Sequence, residues 1–258
     1  MRSIERTAGP SVLGRAFSLL DVLSTGTGSL GLAELARRAD LPKATAFRLA
    51  NQLIELQVLE RVGSEYQLGV KLFELGTGTR NQELREVALP FLEDLYEAVH
   101  ETIHLAVIDG SEVLYVEKIV GRRTCAASSA RGARKPMYTT ALGKAMLAFA
   151  GPRMLETVVQ NGLVRRTPYT ISTPGRLHQD LQRIRESGVA YDREEHDLGI
   201  TCVASPLLDR QGRSRGAISV TGPTTRFKPE RFAPAVRTAA LGLNRRWLEI
   251  GRPDDPDG

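Results

Sequence analysis

Cysteine is nearly absent from the chain: two residues in 258, Cys125 and Cys202, set far apart. That excludes a disulfide-built scaffold, leaves room for one bridge at most, and suits a reduced compartment. No apolar run approaches the roughly 18 residues that a membrane-spanning helix needs. The opening MRSIERTAGPS carries no apolar stretch of the kind found in a secretory signal. A cytoplasmic protein with no membrane partner is therefore expected. Metal-site spacing is lacking too: His100, His104, His178 and His196 form neither an HExxH pattern nor a group with paired cysteines. There is no glycine loop of the P-loop or dinucleotide type, no internal repeat and no low-complexity segment. No cofactor, metal or catalytic residue is assigned. A marked excess of one charge is also missing. The net charge is +5, and the first 80 residues hold ten Lys/Arg against eight Asp/Glu. Bulk charge is only weakly suggestive of a nucleic-acid partner.

What is present is an ordinary globular composition, 41% apolar and 25% charged, in a chain long enough for one or two domains. The most organised stretch runs from Gly31 to Leu68. Leu32, Leu35, Ala36 and Ala39 follow i, i+3, i+4, i+7, one face of a helix. Asp40-Leu41-Pro42 interrupts the pattern, and proline opens a second helix more readily than it continues a first. That second helix carries Ala46, Leu49, Ala50, Leu53 and Gln57 along one side. Ala44, Arg48, Asn51 and Glu55 fall opposite, with Thr45, Phe47 and Gln52 flanking. VLERVGSEYQLG then reads as strand, Gly-Ser turn and strand, a wing. A polar-faced second helix followed by a wing can bring its N-terminal end into a DNA major groove.

This stretch resembles the winged helix-turn-helix of IclR-type transcriptional regulators, and the resemblance extends over nearly the whole chain. It implies DNA contacts by Lys43, Ala44, Thr45, Phe47 and Arg48 on the second helix and by Arg61 and Tyr66 on the wing. The family commonly has serine where this chain has Ala44, so one hydroxyl that could meet phosphate is missing while Lys43, Thr45 and Arg48 remain.

Around this stretch, residues 1–10 read as a mobile tail and Ser11 to Ser24 as a first helix. VKLFELGTGTRNQ, residues 70–82, begins as a short helix and dissolves into Gly and Thr, the place of the family's linker helix. From Glu83 to His100 a helical pattern follows, with Pro90 marking a kink or restart. Residues 102–109 and 112–119 form a hairpin about Gly110-Ser111, and 121–136 read as a loop. ALGKAMLAFA, RMLETVVQ and PGRLHQDLQRIRESG are helical; VAYD, ITCVASPLL and GAISVTG are strands; KPERFAPAVRTAALGLNRRWLEIG closes as a helix. The expected fold is α+β: a winged helix-turn-helix domain (10–69), a linker helix (70–82) and an α/β effector-binding domain of GAF/PAS-like kind with an antiparallel sheet (83–250). A disordered tail (251–258) follows.

Residues 191–223, YDREEHDLGITCVASPLLDRQGRSRGAISVTGP, resemble the most recognisable C-terminal signature of the same family. The resemblance implies an effector cup of Asp192, Ile200, Cys202, Ser219 and Thr221, with Ala141 and Leu142 at the start of a helix and Met137 as an apolar wall. Spacing alone puts Ser219 with Thr221, and Ile200 with Cys202, on shared strand faces. The implied function is a ligand-responsive bacterial transcriptional regulator, a repressor by expectation. It would bind a palindromic operator on double-stranded DNA with affinity set by a small organic acid, aromatic or a short keto- or hydroxy-acid. Self-association into dimers, and into tetramers as dimers of dimers, is implied as well. An alternative stays open at this point: a cytoplasmic enzyme or sensor built on the Asp192/Cys202 pocket.

Overall fold

The computed structural model describes residues 11–25, 28–122 and 129–250. The tails expected at 1–10 and 251–258, Cys125 and part of the 121–136 loop lie outside them. The chain divides into two compact units with the break between Thr79 and Arg80.

In the N-terminal unit, α1 (Val12–Ser24) is capped by Ser11, whose side chain accepts from the Gly14 amide at 3.0 Å. Strand β1 (Leu30–Gly31), α2 (Leu32–Arg38) and α3 (Lys43–Glu55) follow, then the wing strands β2 (Leu59–Val62) and β3 (Glu65–Leu68) and helix α4 (Val70–Thr77). Between α2 and α3, Asp40 takes φ 53°, a left-handed position that a short polar side chain tolerates. Leu19, Leu23, Leu35, Leu49, Leu53 and Leu59 close one core among the three helices and the wing. Gln57 is not on the apolar side of α3. It lies in the turn beyond the helix at φ 59°, exposed, because α3 stops at Glu55.

The C-terminal unit opens with α5 (Arg80–Val99), which begins three residues before the expected start and runs through Pro90 without restarting. An interior proline costs about 3 kcal/mol. Leu84, Ala88, Leu92 and Leu95 are buried on both sides of it, and each buried leucine contributes roughly 1.5–3 kcal/mol, so burial holds the helix together. Strands β4 (Thr102–Asp109), β5 (Glu112–Ile119) and β6 (Arg134–Pro136) come next, then a 3-10 turn at Met137–Thr139. Helices α6 (Ala141–Leu147), α7 (Pro152–Gln160) and α8 (Pro174–Ser187) lead into β7 (Ala190–Arg193), β8 (Ile200–Leu208), β9 (Ser214–Pro223) and α9 (Pro229–Ile250). The six strands form one antiparallel sheet in the order β6-β5-β4-β9-β8-β7. Strand β6 falls inside the segment expected to be a loop; at three residues it is too short to show a period.

Alternation sorts the sheet's two faces. Ile103, Leu105, Val107, Val203, Ile218 and Val220 pack with α5 and α9. Ala106, Val113, Tyr115, Ala190, Ala204 and Ala217 point the other way, toward α6 and α8. Gly143 lets α6 press onto the chain before it: a Cβ there would stand 2.2 Å from the Met137 carbonyl oxygen. The sheet is curled. Six strands laid flat would separate β6 from β7 by roughly 24 Å, yet Lys135 on β6 meets Asp197, in the turn just after β7, at 3.1 Å.

Candidate functional sites

On α3, Lys43, Ala44, Phe47 and Arg48 are exposed and Thr45 is half-buried, while Ala46, Leu49, Ala50 and Leu53 anchor the opposite side. No acidic residue lies in the first turn. The helix therefore offers solvent a cationic, otherwise uncharged N-terminal end. On the wing, Arg61 is exposed and donates from Nε to the Gly63 carbonyl at 3.2 Å. Tyr66 corrects the expectation of a contact residue. It is 2% exposed, because β3 is the middle strand of the wing sheet and turns this side chain into the helical core. The Arg61 guanidinium lies 5.9 Å from its ring, so Tyr66 is a platform under Arg61.

In the C-terminal unit, one cavity lies between the curled sheet and α6, holding about 360 Å³ of space with its open mouth included. Of the expected cup residues, Ala141, Leu142, Asp192, Ile200, Cys202, Ser219 and Thr221 all line it. Strand register explains the meeting: Asp192 stands opposite Cys202, and Cys202 opposite Thr221. Met137 does not line it. Its side chain is fully buried in the core beneath α6, held there by the approach at Gly143. Outside the implied cup, His104, Tyr115, Ser129, Lys135, Thr140, His196 and Asp197 also line the cavity. His104 had a signal, being the one ionisable side chain inside the otherwise apolar run TIHLAVI.

A hydrogen-bonded chain crosses the floor. Ser129 Oγ meets His104 Nε2 at 2.8 Å, His104 Nδ1 meets Thr221 Oγ1 at 3.4 Å, and Thr221 donates to Cys202 Sγ at 3.2 Å. Burial, helped by the Lys118 and Lys135 charges, pushes His104 down to about 3, so its imidazole is neutral. His196 binds Thr139 Oγ1 through Nδ1 at 2.8 Å and is pushed down to about 4, by burial and then by Lys135. Asp192 accepts the Glu195 amide at 2.8 Å, and burial followed by the nearby Glu195 charge raises it to about 7. Ser219 Oγ is buried and meets no hydrogen-bond partner among the described residues. An unmet buried hydroxyl costs about 1–3 kcal/mol, so it marks a place where a polar ligand atom would be welcome.

Beside the cavity lies a buried charge cluster. Lys144 Nζ is 2.6 Å from Glu195 Oε1 and 2.9 Å from Asp180 Oδ2. Burial pulls this ammonium down, but the two carboxylates outweigh it and hold Lys144 above its ordinary value. Glu195 is raised by burial, with Lys144 opposing. The cluster fixes the Glu195 backbone that holds Asp192. Among the described residues no group of three or more His, Cys, Asp and Glu side chains could hold a metal. Thr221 donates to Cys202 Sγ, and His196 meets Thr139 through Nδ1. No described helix is long and apolar enough to cross a membrane.

Residues 12–63 match the IclR helix-turn-helix domain, and residues 77–245 match the bacterial transcriptional regulator IclR C-terminal family. The transcriptional repressor AllR of Escherichia coli is 30% identical over 234 residues, covering 87% of this chain and 84% of AllR. The transcriptional regulator BhcR of Paracoccus denitrificans is 33% identical over 233 residues, covering 89% and 83%. A solved structure of an IclR homologue from Microbacterium hydrocarbonoxydans, complexed with 4-hydroxybenzoate, superposes with a TM-score of 0.86 at 28% identity, covering 93% of this chain and all of that one.

Proposed function

The chain belongs to the IclR family of bacterial transcriptional regulators, and from that premise we propose that it represses transcription from a palindromic operator until a small organic acid enters its C-terminal cavity. It is a DNA-binding regulator with an effector-binding domain, and the enzyme alternative is set aside: the relatives that match over most of its length are regulators. In this reading residues 10–69 hold DNA, 70–82 link, and 83–250 sense. Acting on DNA, the protein works in the cytoplasm.

Lys43, Thr45 and Arg48 would approach bases and phosphates in the major groove, with Ala44 and Phe47 packing beside them and Arg61 reaching the backbone. Dimerisation would pair two such heads. Its support is apolar surface left open in the N-terminal unit, Leu13 and Phe17 on α1 (74% and 61% exposed) and Phe73 on α4 (73%). Tetramers would form through the C-terminal domains.

The observation that carries the effector reading is the buried, unpartnered Ser219 hydroxyl in a cavity that also presents Thr221, Cys202, Asp192 and the apolar Ala141, Leu142 and Ile200. A few fixed polar groups in an apolar wall are the usual form of a small-molecule site. The Microbacterium relative's ligand, 4-hydroxybenzoate, has both a carboxylate and a hydroxyl. A ligand that binds one arrangement of the protein better than another shifts its DNA affinity by that difference.

The test is footprinting of DNA upstream of this protein's own gene at about 0.15 M salt, with a panel of aromatic and aliphatic acids. A protected palindrome that one acid weakens supports the reading. Protection that no acid alters, or that Ala141→Trp and Ser219→Ala leave equally responsive, refutes the effector site.

A further inference from the structure

Resting on the reading of the cavity as an organic-acid site, one residue outside the family signature decides what the cavity accepts. The lining holds two acids, Asp192 and Asp197, and two histidines that burial keeps neutral. Among the described lining residues Lys135 carries the one fixed positive charge. It sits on β6 opposite Val113, whose side chain belongs to the α6 side of the sheet, so its own side chain enters on that face. That side chain is 9% exposed and its ammonium stands 6.0 Å from the Tyr115 ring.

Lys135 Nζ donates to Asp197 Oδ2 at 3.1 Å, and among the described residues its other two N–H groups meet no acceptor. Burying an ammonium with one of three donors satisfied is costly. The partner Asp197 is 36% exposed on the turn between β7 and β8, at the cavity's edge. A carboxylate arriving in the cavity meets an ammonium with donors to spare and a carboxylate already competing for it.

We propose that Lys135 selects acids as effectors: its ammonium binds the ligand carboxylate, in competition with Asp197, while Ser219 meets a polar atom elsewhere on the same molecule. The favoured class is a hydroxy- or oxo-monocarboxylic acid small enough to reach from Lys135 to β9. Its neutral amide would lose the Lys135 contact and keep the rest.

The two ends of this ion pair make opposite predictions, which a purely structural clasp does not. Full-length wild type, Lys135→Met, Lys135→Arg and Asp197→Asn are each titrated by calorimetry with 4-hydroxybenzoate, benzoate, glyoxylate and pyruvate, and with the amides of the two aromatic acids. The acid bound by wild type should bind Lys135→Met roughly 10- to 100-fold more weakly, the range for a hydrogen bond to a charged group. Lys135→Arg should retain most of the affinity. Asp197→Asn should bind the acid about 1.5- to 5-fold more tightly, since a competing ion pair is removed. Amide binding should be the same in wild type and Lys135→Met. Equal weakening by Lys135→Met and Asp197→Asn would mean a structural clasp and overturn the proposal, as would unchanged acid binding by Lys135→Met. Failure of every acid to bind wild type would instead overturn the organic-acid reading beneath it.

Discussion

Replacing Lys144 by methionine should unfold the C-terminal unit at much lower stress and leave the N-terminal unit untouched. Methionine fills the space of the lysine stem, so the loss is one of charge rather than volume. Lys144 is 1% exposed and sits between Glu195 at 2.6 Å and Asp180 at 2.9 Å. Removing one partner of a buried ion pair costs about 3–5 kcal/mol, because the surviving charges have no solvent and no counterion. With an m-value of about 2 kcal/mol/M this is a fall of roughly 1.5–2.5 M in the urea midpoint. The protein's single tryptophan, Trp247 on α9, packs against the C-terminal core, so its fluorescence reports that unit alone. Neutralising both acids in the same background (Lys144→Met with Glu195→Gln and Asp180→Asn) should restore most of the loss. The pH dependence has a definite sign. Without Lys144, Glu195 rises further above its unfolded value, so the folded state binds protons that the unfolded state releases. The deficit must therefore shrink as the pH falls toward 4.5 and grow as it rises. A midpoint within about 0.5 M of wild type at pH 8, or a deficit larger at pH 5 than at pH 8, would refute the reasoning.

Four further outcomes follow from the geometry. Asp192 stands at about 7 when folded against 3.8 unfolded, raised by burial and then by the Glu195 charge, with Lys144 and Lys135 opposing. Asp192→Asn, whose amide oxygen can still accept from the Glu195 amide, should match wild type near pH 4 and become the more stable by up to about 4 kcal/mol at pH 8. A difference that stays constant with pH, read in urea titrations, would sink that account. On α3, Arg48→Ala should weaken specific operator binding by about 1–3 kcal/mol in a mobility-shift titration. Tyr66→Phe should leave binding and stability nearly unchanged, and Tyr66→Ala should destabilise the N-terminal unit by about 3–5 kcal/mol; the reverse order would restore Tyr66 as a contact residue. Gly143→Ala places a methyl 2.2 Å from the Met137 carbonyl and should lower the Trp247-detected midpoint even though alanine favours helix.

Much of this architecture could be read from the residues alone. The wing and the hairpin at Gly110-Ser111 announced themselves because period-two spacing and turn residues carry their own physics. For Ile200, Cys202, Ser219 and Thr221 spacing supplied only the shared strand faces, and the cup itself came from the family resemblance. The misses share a cause. Tyr66 and Met137 were given exposed or lining roles, but which way a side chain points in a middle strand or a 3-10 turn is settled by what packs on it. His104 and Tyr115 lie on strands with both faces covered, where alternation fades into a mostly apolar run. Lys135 came to the cavity only through the curl of the sheet, which no local pattern encodes. Pro90 reads locally as a kink or a restart, and the restart does not occur because the leucine stripe on both sides of the proline keeps the helix continuous.

The two-faced sheet has a consequence for how such a sensor changes over time. On β4, β5, β7, β8 and β9 the residues that line the cavity alternate with residues that hold α5 and α9. Positions 104, 115, 192, 200, 202, 219 and 221 can be retuned singly while their neighbours keep the skeleton in place. A descendant of this chain can drift toward a new chemical trigger without passing through an unfolded ancestor. A library randomised at those positions alone samples many chemistries on one enduring frame.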